Sequence, residues 1–513
     1  MKNIKYLSLL FGLIAFVGCN EPEDVLKDTN IEPEEVVILP ELTTGSVDFS
    51  TYVSIGNSLT AGFTDNALFK ASQENSFPNI LSQKFSMLGG GSFNQPLTND
   101  NFGGLYAGGQ PIINPLTGET LFLPRLVTTG GAPQSLESVI GDITPTTDIV
   151  LNNPTGPFNN MGVPGAKSYH LLAPGYGNLS NVALGLANPY FVRMTGTTPN
   201  ASVLELSMAQ APTFFSLWIG NNDVLGYATT GGDGTNTITP VDGAPGVGFN
   251  QTYGALIATL TSGGAKGVVA NIPYVTDIPH FTTVTYNPVP LDTATADLLN
   301  QGYALYNGGL QQALAALAGT GLLTEEEVAK RTINFSAGEG NAMVIVDENL
   351  TDLGAINPAF AGIPQYRQAT AEDLFVLPLS SLIPLGYGTQ IPLEDKWVLT
   401  PEEQLEIKTA TDSYNATIEA TATSAGLAFV DANSLLSQLA TTGLESDNFI
   451  LASNLVTGGA FSLDGVHLTS RGYAMIANEF MKAIDAAYST NFEASGNLVD
   501  IGNYPTNYSP LLQ

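Results

Sequence analysis

Phe49-Ser50-Thr51-Tyr52-Val53-Ser54-Ile55-Gly56-Asn57-Ser58-Leu59-Thr60-Ala61-Gly62 is the stretch that decides the fold. It is a short β-rich run followed at once by a tight, glycine-flanked turn into a helix. That is the step from which a parallel sheet is built. Working outward, residues 213–219, 267–272 and 427–430 have the unbroken apolar character of strands buried on both faces. Helical patterns fall between and after them, at 252–260, 294–318, 401–424 and Ser470–Tyr488. In the last of these, Tyr473, Ile476, Ala477, Phe480 and Ile484 recur at helical spacing. Strand alternating with helix predicts an α/β domain, a parallel sheet covered on both faces.

Two stretches depart from this alternation. Residues 88–160 are rich in Gly, Pro and Asn. Residues 280–397 hold a helix start at Thr324-Glu325-Glu326-Glu327 and a strand-like run at 343–346. Both read as insertions on one domain spanning 49–490, with 491–513 as a C-terminal extension. The 513 residues are 43% hydrophobic and 9% aromatic, enough to bury a large core. Only 12% are charged and the formal charge is −31, which argues against nucleic acid and against anionic lipid faces as partners.

The N-terminus accounts for this composition. Lys2 and Lys5 precede an apolar run from Tyr6 to Val17 that is too short for a stable membrane span. The run ends in Phe16-Val17-Gly18-Cys19, similar to the lipobox of bacterial lipoproteins, and Cys19 is the only cysteine. Phe16 is bulkier than the leucine usual there. Residues 1–18 are therefore expected to be a signal peptide and Cys19 the lipidated residue. Loss of the two lysines would move the charge from −31 to −33. Residues 19–48, acidic from Asn20-Glu21-Pro22-Glu23-Asp24 onward, read as a tether. The expected location is the outer membrane of a Gram-negative bacterium, with the lipid as the sole membrane contact. The acidic run resembles a surface-export signal.

Four segments carry chemistry. Ser58 sits in the turn after the first strand, where ligand sites of open α/β sheets lie. In Asn160-Met161-Gly162-Val163-Pro164-Gly165-Ala166, Gly165 can offer a backbone N–H to an anion. In Trp218-Ile219-Gly220-Asn221-Asn222-Asp223, Asn222 follows an apolar strand and can aim an amide at a developing oxyanion. In Leu463-Asp464-Gly465-Val466-His467-Leu468-Thr469, the carboxylate can reach one imidazole nitrogen and leave the other to take a proton from a serine. Each alone also reads as a plain turn or cap. The chain has three histidines, and His170 and His280 read as structural or pocket-lining.

Together the four segments resemble the signature blocks of the SGNH (GDSL-type) hydrolase family, in that family's order. Ser58 matches the nucleophile, Gly165 the second-block glycine, Asn222 the asparagine of Gly-x-Asn-Asp, and Asp464 and His467 the final Asp-x-x-His. Ala270-Asn271-Ile272-Pro273-Tyr274-Val275-Thr276-Asp277-Ile278-Pro279 is similar to a segment common in bacterial GDSL lipases. One departure is clear: Gly-Asp-Ser-Leu is here Gly-Asn-Ser-Leu, so Asn57 lacks the charge. The resemblance implies a three-layer α/β/α, flavodoxin-like fold with long loop insertions. It implies ester hydrolysis through an acyl-enzyme on Ser58, with His467 as base and Asp464 orienting it. The oxyanion hole would comprise the Ser58 and Gly165 N–H groups and the Asn222 amide. No metal or cofactor is implied, and the sequence shows no ligand cluster. The substrate would be a lipid ester, a short-chain acyl ester or an acetylated glycan. The alternatives are a polysaccharide O-deacetylase of the same fold and an inactive surface binding lipoprotein.

Overall fold

A computed structural model describes residues 38–513 apart from Pro115 and Thr235. The signal peptide, Cys19 and most of the acidic tether lie outside the described residues. The chain divides into a small unit and a large one. Of the small unit, residues 38–41 and Ala494–Gly496 are described, and Leu39 lies against Gly496. The large unit comprises Leu42–Glu493 and Asn497–Gln513. No helix among the described residues is long and apolar enough to cross a membrane.

Five strands form the central sheet of the large unit: β1 (Tyr52–Gly56), β2 (Asn160–Gly162), β3 (Phe214–Trp218), β4 (Lys266–Ala270) and β5 (Ala428–Val430). All pairs are parallel and the order is β5-β4-β3-β1-β2. The order of assembly reverses between β1 and β3, so the crevice between these two inner strands is the topological switch point. The helices used below are α1 (Ser58–Ala61), α2 (Phe77–Ser86), α3 (Asn221–Ala228), α4 (Phe249–Leu260), α5 (Thr293–Ala316), α6 (Glu325–Arg331), α7 (Pro401–Ala425), α8 (Ala432–Thr441) and α9 (Ser470–Tyr488). Helices flank the sheet, an arrangement compatible with a three-layer α/β/α fold.

β1 and β3 are buried at every position, which is why they read as unbroken apolar runs rather than alternating ones. On the face of Tyr52, Phe214 and Trp218, α2 and α9 supply the covering rings. Phe85 meets Tyr52 at 5.0 Å, and Phe77 lies 4.8 Å from Phe480. α4 and α7 are joined through Phe249, stacked on Tyr414 at 4.1 Å. The hydroxyls this core buries satisfy one another: Ser216 donates to Ser54 at 2.7 Å and pairs with Tyr52 Oη at 2.8 Å.

The expected strands at 213–219, 267–272 and 427–430 and the expected helices all form, with ends shifted by a few residues. β2 was not expected as a strand. Its three residues carry no pattern of their own, and its conformation comes from pairing with Ser54, Ile55 and Gly56. Residues 42–48, read from the sequence as tether, pack against the end of α9. Ser46 N–H donates to Tyr488 O at 2.9 Å, and Val47 is buried.

The 88–160 segment contributes two small hairpin ladders and buries Arg125, which donates to the carbonyls of Asn101 and Ser509. The 280–397 segment holds α5 and α6 and carries apolar clusters of its own. One centres on Met343, Ile345, Phe375 and Leu379, another on Leu310, Val328 and Leu353. Inside it Arg367 is buried and bidentate to Asp373, at 2.6 Å on each nitrogen, and also bonds Asp347 at 2.5 Å.

Candidate active site

The turn from β1 into α1 places Ser58 at the carboxyl end of the sheet, beside the switch point. Gly56 is required there, because a Cβ would come 2.2 Å from Thr60 Oγ1 and 2.4 Å from the Trp218 carbonyl. Asn57 caps the helix by accepting from Leu59 N at 3.0 Å, and its amide donates to Asn221 Oδ1 at 3.1 Å. An ionised aspartate could keep the cap but could not make that second bond. Asparagine at position 57 thus ties the Ser58 turn to the start of α3.

Asp464 and His467 stand on the turn before α9, whose N-cap is Thr469. His467 Nε2 lies 2.9 Å from Ser58 Oγ, and His467 Nδ1 lies 2.8 Å from Asp464 Oδ2. Serine, imidazole and carboxylate, joined across 409 residues of sequence, form one hydrogen-bonded line. Burial acts to raise the Asp464 pKa. The facing His467, its side-chain and backbone hydrogen bonds, and the Val466 N–H outweigh it and hold the carboxyl well below the usual range. Oδ1 accepts from Ser462 Oγ at 3.0 Å, Val466 N at 2.8 Å and His467 N at 2.9 Å. Oδ2 also accepts from Asn66 N at 2.8 Å. A carboxylate so surrounded stays ionised and fixes the imidazole with Nδ1 protonated, leaving Nε2 free to accept a proton from Ser58. Phe63 packs against the imidazole, ring centres 4.6 Å apart.

Asn222, on the first turn of α3, donates to the Ala166 carbonyl at 2.9 Å and has a second amide hydrogen in reserve. Gly165, one residue before, has φ +79° and is exposed; the left-handed backbone rather than crowding makes glycine the residue of choice. Neither the Ser58 N–H nor the Gly165 N–H donates to another group among the described residues. Asp223 binds this loop to α3, accepting from Ser168 N at 2.8 Å and Ser168 Oγ at 2.6 Å. Burial raises the Asp223 pKa, opposed by these two bonds.

Ser58, Asn222 and His467 open onto a cleft whose remaining wall, apart from Asn57 and Asn221, is apolar, including Leu225, Val275, Ile278, Leu436, Leu439 and Ile476.

Comparison with family models, with curated proteins and with solved structures finds no match.

The structure therefore joins Ser58, His467 and Asp464 directly, lines the cleft with Asn222, and sets Gly165 on the loop that Asn222 holds. The other two histidines lie outside this line. His170 stacks on Tyr176 at 4.4 Å, and its Nδ1 accepts from Lys167 N at 3.0 Å; burial, then Lys167, lowers it to about 4. Burial likewise lowers His280, which packs edge-on against Phe281.

Sequence reasoning missed the supports of Asp464. Thr64 and Ala67 close a tight turn in which Asp65 and Asn66 both hold positive φ, 51° and 63°. Asp and Asn are the residues besides glycine that tolerate this conformation best. The turn aims Asn66 N at Asp464 and Asp65 Oδ1 at Leu463 N, 3.1 Å away. A "Thr-Asp-Asn-Ala" run is the only local signal for it.

Burial, aided by the Asp464 charge, raises Asp65 to about 7 against the opposing Leu463 bond and Arg125. The folded protein thus holds this proton more tightly than the unfolded chain. Its contribution to stability is present below the unfolded value near 3.8 and is lost as pH rises toward 7. A shift of about 3 units corresponds to at most about 4 kcal/mol. Asp65→Asn, isosteric with the protonated acid, is expected to remove that slope. Thermal unfolding of variant and wild type should coincide near pH 4, with the variant increasingly more stable toward pH 7. A constant difference across that range would show that Asp65 does not titrate there.

Proposed function

We propose that the chain is a serine carboxylic-ester hydrolase of the SGNH type, working through an acyl-enzyme on Ser58. The observation that carries this reading is the hydrogen-bonded line from Ser58 Oγ through His467 to Asp464. In the proposed reaction Ser58 Oγ attacks the ester carbonyl while His467 Nε2 takes its proton. Asp464 holds the imidazolium that forms. The Ser58 and Gly165 N–H groups and the Asn222 amide receive the oxyanion. Collapse of the adduct expels the alcohol with the proton from His467, and water repeats the cycle to release the acid. The strand order supports the finer fold assignment: in sequence numbers it is 2-1-3-4-5, the doubly wound order of flavodoxin. Lipid on Cys19 would hold the enzyme at the cell envelope.

The cleft favours an acyl chain of several carbons over the acetyl group of a decorated glycan. Its wall presents methyl groups next to Ser58, and each methylene it takes from water stabilises a bound ester by about 0.8 kcal/mol. Hydrolysis of p-nitrophenyl esters from acetate to palmitate tests both statements. Activity should rise with chain length from acetate to a medium-chain optimum. Turnover of acetate alone would favour the O-deacetylase, and turnover of none would favour a binding protein.

A further inference from the structure

Away from the cleft, three carboxylates from distant parts of the chain meet where the 280–397 segment rejoins the core. Glu348 follows the strand Val344–Val346, Asp395 opens the turn Asp395–Trp397, and Glu403 stands in the first turn of α7. Each offers an oxygen, and the three oxygens lie within 4.8 Å of one another. The residue before Glu348 is the Asp347 that Arg367 grips, so this end of the group is firmly held.

The local hydrogen bonding leaves the group electrically incomplete. Glu403 is only 4% exposed. Its Oε2 accepts from Thr400 N at 2.6 Å and Thr400 Oγ1 at 2.9 Å, closing the capping box of α7. Its Oε1 is shut off from solvent and is met by no N–H, alcohol or phenol donor among the described residues, and the same holds for Asp395 Oδ1; the only group either side chain shares a proton with is the Glu348 carboxyl. None of the three carboxylates forms an ion pair with Lys or Arg among those residues. Burial, then the Glu348 charge and a hydrogen bond to Glu348, raises the pKa of Asp395; burial also leads the rise at Glu403, with the Asp395 charge and a Glu348 hydrogen bond adding to it against the Thr400 bonds.

The backbone is shaped around this group. Gly231 and Gly232 hold φ of +65° and +78°. A Cβ on Gly232 would come 2.7 Å from Glu403 Oε1, and one on Gly231 would come 2.1 Å from the Asp395 carbonyl oxygen. Asp233, next along, adds negative charge toward Asp395. Glu348 is exposed and gives the group access to solvent.

Buried oxygens without donors are costly, and protein interiors rarely leave them so. Two of them converging on a third carboxylate have the donor set of a hard cation. Calcium accepts six to eight oxygens in irregular arrangements, mixing carboxylates, carbonyls and water. Magnesium demands a near-ideal octahedron and keeps most of its water. We propose that Glu348, Asp395 and Glu403 bind a calcium ion that pins the 280–397 insertion to α7. This site is independent of the reaction at Ser58. It was invisible in the sequence because its ligands are separated by 47 and 8 residues and share no motif.

The test uses the full chain, stripped with chelator and titrated with CaCl2 by calorimetry, with thermal unfolding followed in parallel. One calcium per chain is expected, and millimolar CaCl2 should raise the unfolding midpoint by about 2–5 °C. Both effects should vanish in Glu403→Gln and in Glu348→Gln and persist in Glu402→Gln, an exposed neighbour on α7. Glu348→Gln decides the matter if Glu403→Gln does not fold, because it removes an exposed ligand. Absence of binding heat and of any shift in wild type would overturn the site in favour of shared protons. An undiminished shift in Glu348→Gln, or an equal one with MgCl2, would overturn it in favour of general screening of a highly acidic chain.

Discussion

Ser58→Ala is expected to lower kcat for ester hydrolysis about 10⁶-fold, to the level left by binding and the oxyanion donors alone. It should do so without unfolding the protein. Among the described residues the hydroxyl bonds only His467 Nε2, which lines the open cleft, so its removal strands no buried group. The cap of α1 is made by Asn57 rather than Ser58, and alanine suits a first helical turn. Steady-state kinetics on a medium-chain p-nitrophenyl ester, with thermal unfolding as the control, reads both halves. Activity within tenfold of wild type in a variant freed of contaminating esterase would remove Ser58 from the reaction.

Asp464→Asn should cost about 10⁴-fold in kcat, and here the structure predicts a stability loss as well. Asp464 offers two oxygens to five donors: Ser462 Oγ and two backbone N–H groups on Oδ1, and Asn66 N and His467 Nδ1 on Oδ2. An amide nitrogen in either place meets at least one fixed N–H donor head-on. If it faces His467, the imidazole turns to the tautomer with Nε2 protonated, which cannot accept the Ser58 proton. If it faces the other way, the backbone of the turn loses its acceptor. Ionised Asp464 also contributes stability that is present above the ordinary carboxylate range and lost only as pH falls below it, since its folded pKa is depressed. Kinetics should therefore show a kcat fall with a small change in KM, together with a lower unfolding midpoint. Wild-type kcat in Asp464→Asn would show that the carboxylate does not set the tautomer.

The parts of this molecule legible in the sequence are those written in local pattern. β3 and α9 announce themselves because burial on both faces, or on one helical stripe, leaves a periodicity in a dozen residues. Ser58, Asp464 and His467 were legible for the same reason: each sits in a glycine-marked turn at the end of an element. What could not be read depends on contacts that only the fold creates. β2 is a strand by virtue of its neighbour. Asn66 supports Asp464 from 398 residues away, and nothing local to either marks the pair. Asp223 ends the Gly220-Asn221-Asn222-Asp223 run, yet its bond to Ser168 needs the 163–168 loop brought alongside α3. Asn57, a departure from the expected aspartate, makes sense only once Asn221 is beside it. The carboxylates Glu348, Asp395 and Glu403 have no shared spacing to find. The second insertion reads as irregular because its small cores are assembled from short, separated segments.

The central claim is that Ser58 is a nucleophile activated by His467, and covalent capture tests it most directly. The full chain is incubated with a fluorophosphonate, which reacts with activated serines, and the modified peptide is located by mass spectrometry. One adduct per chain is expected, on Ser58, and none in His467→Ala. An unmodified chain, or an adduct on another serine, would contradict it.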